Sequence, residues 1–229
     1  MTLKSQIKSL LFPSGVRPVT VISGAYRGLK MEMDLQGSFQ LWAGFYERET
    51  YRWIRQFAAG CCSGVDVGAA QGEFTLFMLK SSRASSIVAI DPDAEHEARF
   101  SRNLEMNGYC EGDRLARFRH FVGTGADGSV RLDSLGGLLR SPVFIKVDVD
   151  GFEMDVLQGA IGVLKKMKVR LLLETHSSKL EDNCNHFLKN LGYRTKVVKN
   201  GWWRILLKDR RPIEQNRWLV ASNDPSSIV

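Results

Sequence analysis

Carboxylates and glycines recur in this chain where a strand gives way to a helix, at a spacing suited to binding a nucleotide and a cationic group. In VDVGAAQGEFTLF (residues 65–77) a Val-rich run ends at Asp66, and a tight turn through Gly68, Ala69 and Gly72 opens a helical segment. Gly68 lets the backbone approach a ligand, Gly72 lets the helix pack near the strand, and free N–H groups at the helix start receive polar ligand atoms. Asp91 stands 25 residues after Asp66, in SIVAIDPD, where an acid accepts hydrogen bonds from both hydroxyls of a ribose. Pro92 behind it makes helix capping a serious second role for Asp91, compatible with the first. A carboxylate at Asp66 suits the cationic amino-acid end of S-adenosylmethionine and would repel a dinucleotide pyrophosphate; capping the helix is its competing role.

From Gly64 onward, short Val/Ile-rich runs alternate with segments of helical period, the signature of an α/β fold with a parallel sheet. Strands are expected near Gly64 to Gly68, Ser86 to Asp91, Ala116 to Gly123, Val143 to Val149 and Val169 to Thr175. Tyr193 to Lys199 and Trp202 to Lys208 flank Asn200 and Gly201, a favoured pair for a two-residue hairpin turn. The expectation is a Rossmann-like, seven-stranded, mostly parallel sheet with a C-terminal antiparallel hairpin and helices on both faces. Five parallel strands closed by a hairpin is the arrangement of class I methyltransferases, whereas a dinucleotide-binding domain usually continues with a sixth parallel strand. Residues 61–210 are read as the cofactor-binding domain, 1–60 as a helical lid or extension, and 211–229 as a tail.

At VFIKVDVDGFEMDVLQGA the chain resembles the FkbM methyltransferase family, whose fourth strand and following helix carry an IK-D-x-E-G-x-E-x-x-VL-x-GA pattern. The matching residues are Lys146, Asp148, Asp150, Gly151, Glu153, Val156, Leu157, Gly159 and Ala160. The likeness runs from about Val65 to Arg194 and takes in the glycine turn, IDPDAEHEARFSRNLEMNG, LDSL and LLLETH. Two features depart from it: Asp150 stands where the family usually has Glu, and the stretch before LDSL is short. The resemblance implies S-adenosylmethionine as cofactor and O-methylation of a sugar, polyketide or related hydroxyl.

Methyl transfer is an in-line displacement at a sulfonium, so alignment of donor carbon and acceptor oxygen matters most. A neutral alcohol also needs a base or a metal to take or weaken its proton. Asp148 is the first choice, at the tip of the fourth strand, to orient cofactor or acceptor or to act as base. Asp150 and Glu153 come second, and His176, which titrates near neutrality, is a candidate general base against an ordinary packing role. Asp150 and Glu153, together with Asp148 and Glu174, could gather Mg²⁺ with hard oxygen ligands, but an acidic helix start with no metal is the simpler expectation. Lys146, inside an apolar strand, must be paired. Tyr46, Glu47 and Glu49 in the lid resemble the family's segment before the glycine turn, which implies that they reach cofactor or acceptor, and one of Trp202 and Trp203 could stack on a ligand.

Composition bounds the rest. The 229 residues are 44% hydrophobic and 25% charged, a globular profile, and Cys61, Cys62, Cys110 and Cys184 show no metal-ligand spacing. Free thiols, no membrane span and no signal-peptide core lead to the expectation of a cytoplasmic protein, with a homodimer left open. Between Lys165 and Arg217 fourteen Lys or Arg face five Asp or Glu. That basic stretch keeps a nucleic-acid methyltransferase as the main alternative, although no RNA-binding module accompanies it. A nicotinamide-dependent oxidoreductase is disfavoured by the turn spacing and the hairpin.

Overall fold

The structure is a computed structural model and describes residues 14–112, 114–126, 128–205 and 215–227. A short antiparallel hairpin, β1 (Arg17–Thr20) and β2 (Lys30–Met33), leads into helix α1 (Leu35–Trp42), a 3-10 turn (Arg48–Thr50) and α2 (Tyr51–Ala59). The main domain follows: β3 (Ser63–Val67), α3 (Glu73–Ser81), β4 (Ser86–Ile90), α4 (Ala94–Met106), β5 (Leu115–Phe118), a 3-10 segment (Leu132–Leu138) and β6 (Val143–Val147). After α5 (Glu153–Gly159), α6 (Ile161–Lys166), β7 (Val169–Thr175) and α7 (Ser178–Asn190), the chain ends its regular structure in β8 (Arg194–Val198) and β9 (Arg217–Ser222).

The seven-stranded sheet has the order β5-β4-β3-β6-β7-β9-β8, with β9 antiparallel to its neighbours β7 and β8 and the other six strands running in one direction. Every residue of β3, β6 and β7 is buried, as expected where helices cover both faces. Alternation sorts the side chains. Phe144, Trp218 and Val220 join Phe57, Phe74 and Phe100 on one face, while Ile145, Leu219 and Ala221 join Leu157, Leu164 and Leu188 on the other. The Phe144 ring packs edge-on against Phe57 and Phe74 at 5.4 and 5.2 Å between centroids. Each such buried side chain contributes about 1.5–3 kcal/mol.

One expectation is corrected at the sheet's closing end. Trp202–Ile205 is a 3-10 turn and residues 206–208 lie outside the described residues, so the antiparallel partner of β8 is Arg217–Ser222 rather than Trp202 to Lys208. That strand, assigned from sequence to a tail, is an inner member of the sheet, because four consecutive apolar residues, Trp218 to Ala221, need cover on both faces. Leu3, Ile7, Leu10 and Leu11, whose spacing in the sequence suits a short helix, lie outside the described residues. Among the described residues no helix is long and apolar enough to cross a membrane.

The sheet also buries a charge. Arg170 on β7 donates to Asp224 Oδ2 from Nε (3.1 Å) and Nη2 (2.8 Å), and to the Phe57 carbonyl from Nη1 (3.2 Å). Burial alone would raise the Asp224 pKa, but the hydrogen bonds from Arg170 and Ser226 outweigh it and hold it below the usual range. A depressed folded-state pKa gives stability that is complete above the ordinary Asp value and lost as pH falls through the lower one. Asp224→Asn leaves the guanidinium buried beside a neutral group, and urea unfolding is expected to show a loss of about 2–3 kcal/mol.

Candidate active site

The glycine turn is built as the sequence implies. Gly68 has φ +79°, and a Cβ on it would stand 1.8 Å from the Asp148 carbonyl oxygen, so the turn presses directly on the tip of β6. Gly72, at φ +88°, is pressed by the Phe100 ring, which a Cβ would meet at 2.2 Å. Between them Ala69 is buried, and Ala70 is held left-handed at φ +42° with its N–H donating to Asp91 Oδ2 at 2.8 Å.

Asp91 therefore braces the turn as well as standing at the tip of β4. Its Oδ1 accepts from the Asp93 N–H (2.9 Å) and lies 3.1 Å from His96 Nδ1. The helix cap is not Asp91 but Asp93, two residues on past Pro92, whose carboxylate accepts from the Glu95 N–H at 2.7 Å. That frees Asp91 from the competing role. A pocket of about 140 Å³ opens beside it, lined in part by Ala69, Ala70, Phe100, Phe118 and Arg119.

Deeper in, Lys146 is surrounded by acids. Its Nζ lies 3.3 Å from Asp148 Oδ2 and 5.4 Å from the centre of the Trp218 ring. Burial would lower its pKa, but Asp148, Glu47, Asp66 and Glu73 together push it up, so Lys146 stays charged. The converse shows on the acids. Burial, opposed by Lys146, raises Glu47 and Glu73 to about 7 each and raises Asp66 as well. Asp66 Oδ2 accepts from Thr75 Oγ1 at 2.7 Å, whereas its Oδ1 and Glu47 Oε2 are buried without a hydrogen-bond partner. Four carboxylates around one ammonium, two of them with idle acceptors, fit a further cation.

The second cluster centres on His176, at the end of β7 and 8% exposed. Its Nδ1 is 2.6 Å from Glu153 Oε1, and its Nε2 is 3.2 Å from Asp150, 3.5 Å from Glu174 and 3.8 Å from Asp148. Burial would lower the His176 pKa, but the hydrogen bonds and charges of Glu153 and Glu174 raise it to about 10. With that value the imidazole is protonated at neutral pH and has no lone pair for an acceptor's proton. The general-base role expected from an ordinary histidine pKa does not suit this environment. Asp150, at φ +47° and with its side chain 70% exposed, stands at the open rim.

Asp66, Gly68, Asp148, Asp150, Glu153 and His176 thus converge at the carboxyl ends of the strands, with Asp91 one strand over. The lid reaches the same place through Glu47, which is left-handed at φ +49° and feels Lys146 and Asp148. The Arg48 guanidinium lies 5.6 Å from the ring centres of both Phe45 and Trp203, and Arg204 pairs with Glu49. Glu73 was missed in the sequence; an acid directly after Gly72, on the first turn of α3, was the available signal.

Residues 128–195 match the family model of the methyltransferase FkbM domain. Among curated proteins none matches the chain. Solved structures share the fold. A Methylobacillus flagellatus methyltransferase FkbM superposes with a TM-score of 0.56 at 18% identity, over 70% of this chain and 43% of that one, so the chain spans less than half its length. A Streptococcus thermophilus rRNA methylase gives 0.53 at 14% identity, covering 76% and 93%. M. capricolum TrmK, solved with its cofactor product S-adenosylhomocysteine, gives 0.52 at 10% identity, covering 76% and 67%. The fold is thus one that solved methyltransferases share, and the stretch around Asp148 is similar to the methyltransferase FkbM domain.

Proposed function

We propose that the chain is an O-methyltransferase acting on a hydroxyl of a sugar or another small molecule. The observation that carries this reading is the ring of carboxylates at the tips of β3, β6 and β7, with buried acceptors left over for a cation. Bound S-adenosylmethionine supplies a methyl carbon made electrophilic by its sulfonium. Asp66 and Glu47 face the cofactor's cationic end. Asp91 accepts from the ribose hydroxyls, beside the pocket at the tip of β4. Asp148, fixed by Lys146, orients the reacting groups. Asp150, the exposed carboxylate at the rim, takes the proton of the acceptor hydroxyl.

Calorimetry with S-adenosylmethionine and with NAD⁺ tests the reading. Binding of the first alone, followed by turnover on a panel of sugar and polyketide hydroxyls, is the expected outcome; binding of NAD⁺ alone defeats it. Asp91→Ala is expected to weaken S-adenosylmethionine about 10- to 100-fold, the worth of hydrogen bonds to a charged acceptor. Weakening much beyond that would mean the brace at Ala70 had failed too.

The basic stretch from Lys165 to Arg217 supports a second reading, a nucleic-acid acceptor. RNA binding whose affinity falls steeply with salt would favour it, since neutralising phosphates releases counterions.

A further inference from the structure

One group of side chains is more ordered than proton transfer alone requires. Asp148, Glu174 and His176 each offer a ligand atom lying within 4.8 Å of the other two. His176 Nε2 is 3.5 Å from Glu174 Oε2 and 3.8 Å from Asp148 Oδ1. Atoms that share one ion at about 2.1 Å stand about 3.0–3.5 Å apart, so contraction of the cluster would bring all three onto one ion and leave its remaining positions to water or acceptor. His176 is 8% exposed, and its Nε2, buried without a well-formed hydrogen bond, faces the two carboxylates, where a metal ion would replace the proton that the imidazole otherwise carries. Its other nitrogen is fixed by Glu153, fully buried, at 2.6 Å; a carboxylate behind the ring is how proteins aim a histidine at a metal. Asp148 divides its oxygens, Oδ2 toward Lys146 and Oδ1 toward the imidazole.

The geometry points to a divalent metal site made by His176 Nε2, Asp148 and Glu174 at the carboxyl ends of β6 and β7. The imidazole favours a first-row transition ion over Ca²⁺ or Mg²⁺, and Mn²⁺, which carboxylates also suit, serves as the probe. The site itself stands on geometry, while its role rests on the methyl-transfer reading. An acceptor hydroxyl on the ion yields its proton to Asp150, 3.2 Å from Nε2, more readily than a free alcohol does. The oxygen then forms its bond to the methyl carbon as the carbon–sulfur bond breaks, with that electron pair remaining on sulfur.

The test uses the full chain freed of metal with EDTA and titrated with MnCl₂. Calorimetry should show one micromolar site, and electron spin echo spectra of bound Mn²⁺ should carry the modulation of a directly ligated imidazole nitrogen. That signature needs no variant. His176→Gln and Glu174→Gln should abolish it, and Glu153→Gln should weaken binding about 10- to 100-fold. No Mn²⁺ binding, or bound Mn²⁺ without nitrogen modulation, overturns the site. Displacement of Mn²⁺ by S-adenosylhomocysteine also overturns it, since the cluster would then belong to the cofactor. S-adenosylhomocysteine binding is measured in parallel: its presence without Mn²⁺ binding sinks the metal and leaves methyl transfer standing, and the reverse result sinks methyl transfer while supporting the metal.

Discussion

Gly68→Ala is expected to abolish S-adenosylmethionine binding and to cost about 3–5 kcal/mol of stability. Two terms add. A residue with a Cβ pays about 1–2 kcal/mol for the left-handed backbone at φ +79°, and overpacking costs about 1–3 kcal/mol more. The packing term is at its upper end because the atom met at 1.8 Å is a backbone carbonyl oxygen, which cannot rotate away as a side chain does. Relief requires the tip of β6 to move, and Asp148 moves with it. Gly108→Ala isolates the first term, since Gly108 has φ +76° with nothing within 4 Å of its Cβ position. Urea unfolding of the two variants, with calorimetric titration of cofactor, measures both effects. Equal losses of stability would mean that the turn and β6 are not in contact in solution.

Asp148→Asn should give the complementary pattern, with kcat about a hundredfold lower and the Kd for S-adenosylmethionine little changed. The amide keeps the shape of the carboxylate but removes the charge that faces Lys146 at 3.3 Å and the imidazole at 3.8 Å. Lys146 retains Glu47, Asp66 and Glu73 as counter-charges, so the cofactor's cationic end keeps its surroundings. The reacting groups lose their alignment, and misplacement by about 1 Å is enough for a hundredfold loss. Steady-state kinetics beside calorimetry separates the two quantities. Lost binding with preserved turnover would reverse the roles assigned to Asp148 and Asp91.

The parallel part of the sheet was legible because buried parallel strands are written as short apolar runs, and four of the five expected strands lie within a residue or two of their observed ends. The closing strand was not. Asn200-Gly201 is a strong local turn signal, but the apolar run at Trp218 to Ala221 competes for the same edge and wins by filling both faces of the core. In the site, Asp66, Asp91 and Asp148 were legible because strand tips point one way. Glu73 and the company kept by Lys146 were not, since they depend on side chains from four separate segments meeting in space. The standing of His176 was misread for the same reason. A pKa follows from neighbours, and the sequence does not say that Glu153 and Glu174 are among them.

Three residues other than glycine hold left-handed backbone among the described residues, and all three, Glu47, Ala70 and Asp150, border the site. Each conformation costs about 1–3 kcal/mol, which the rest of the fold must supply. Glycine at any of them would relieve that cost, yet at Glu47 and Asp150 it would delete a carboxylate. A laboratory lineage selected only for heat resistance would therefore drift toward glycine there, while one selected for turnover would be held in place. Ala70 is the exception: no side-chain charge is at stake, so endurance and catalysis need not pull against each other at that position.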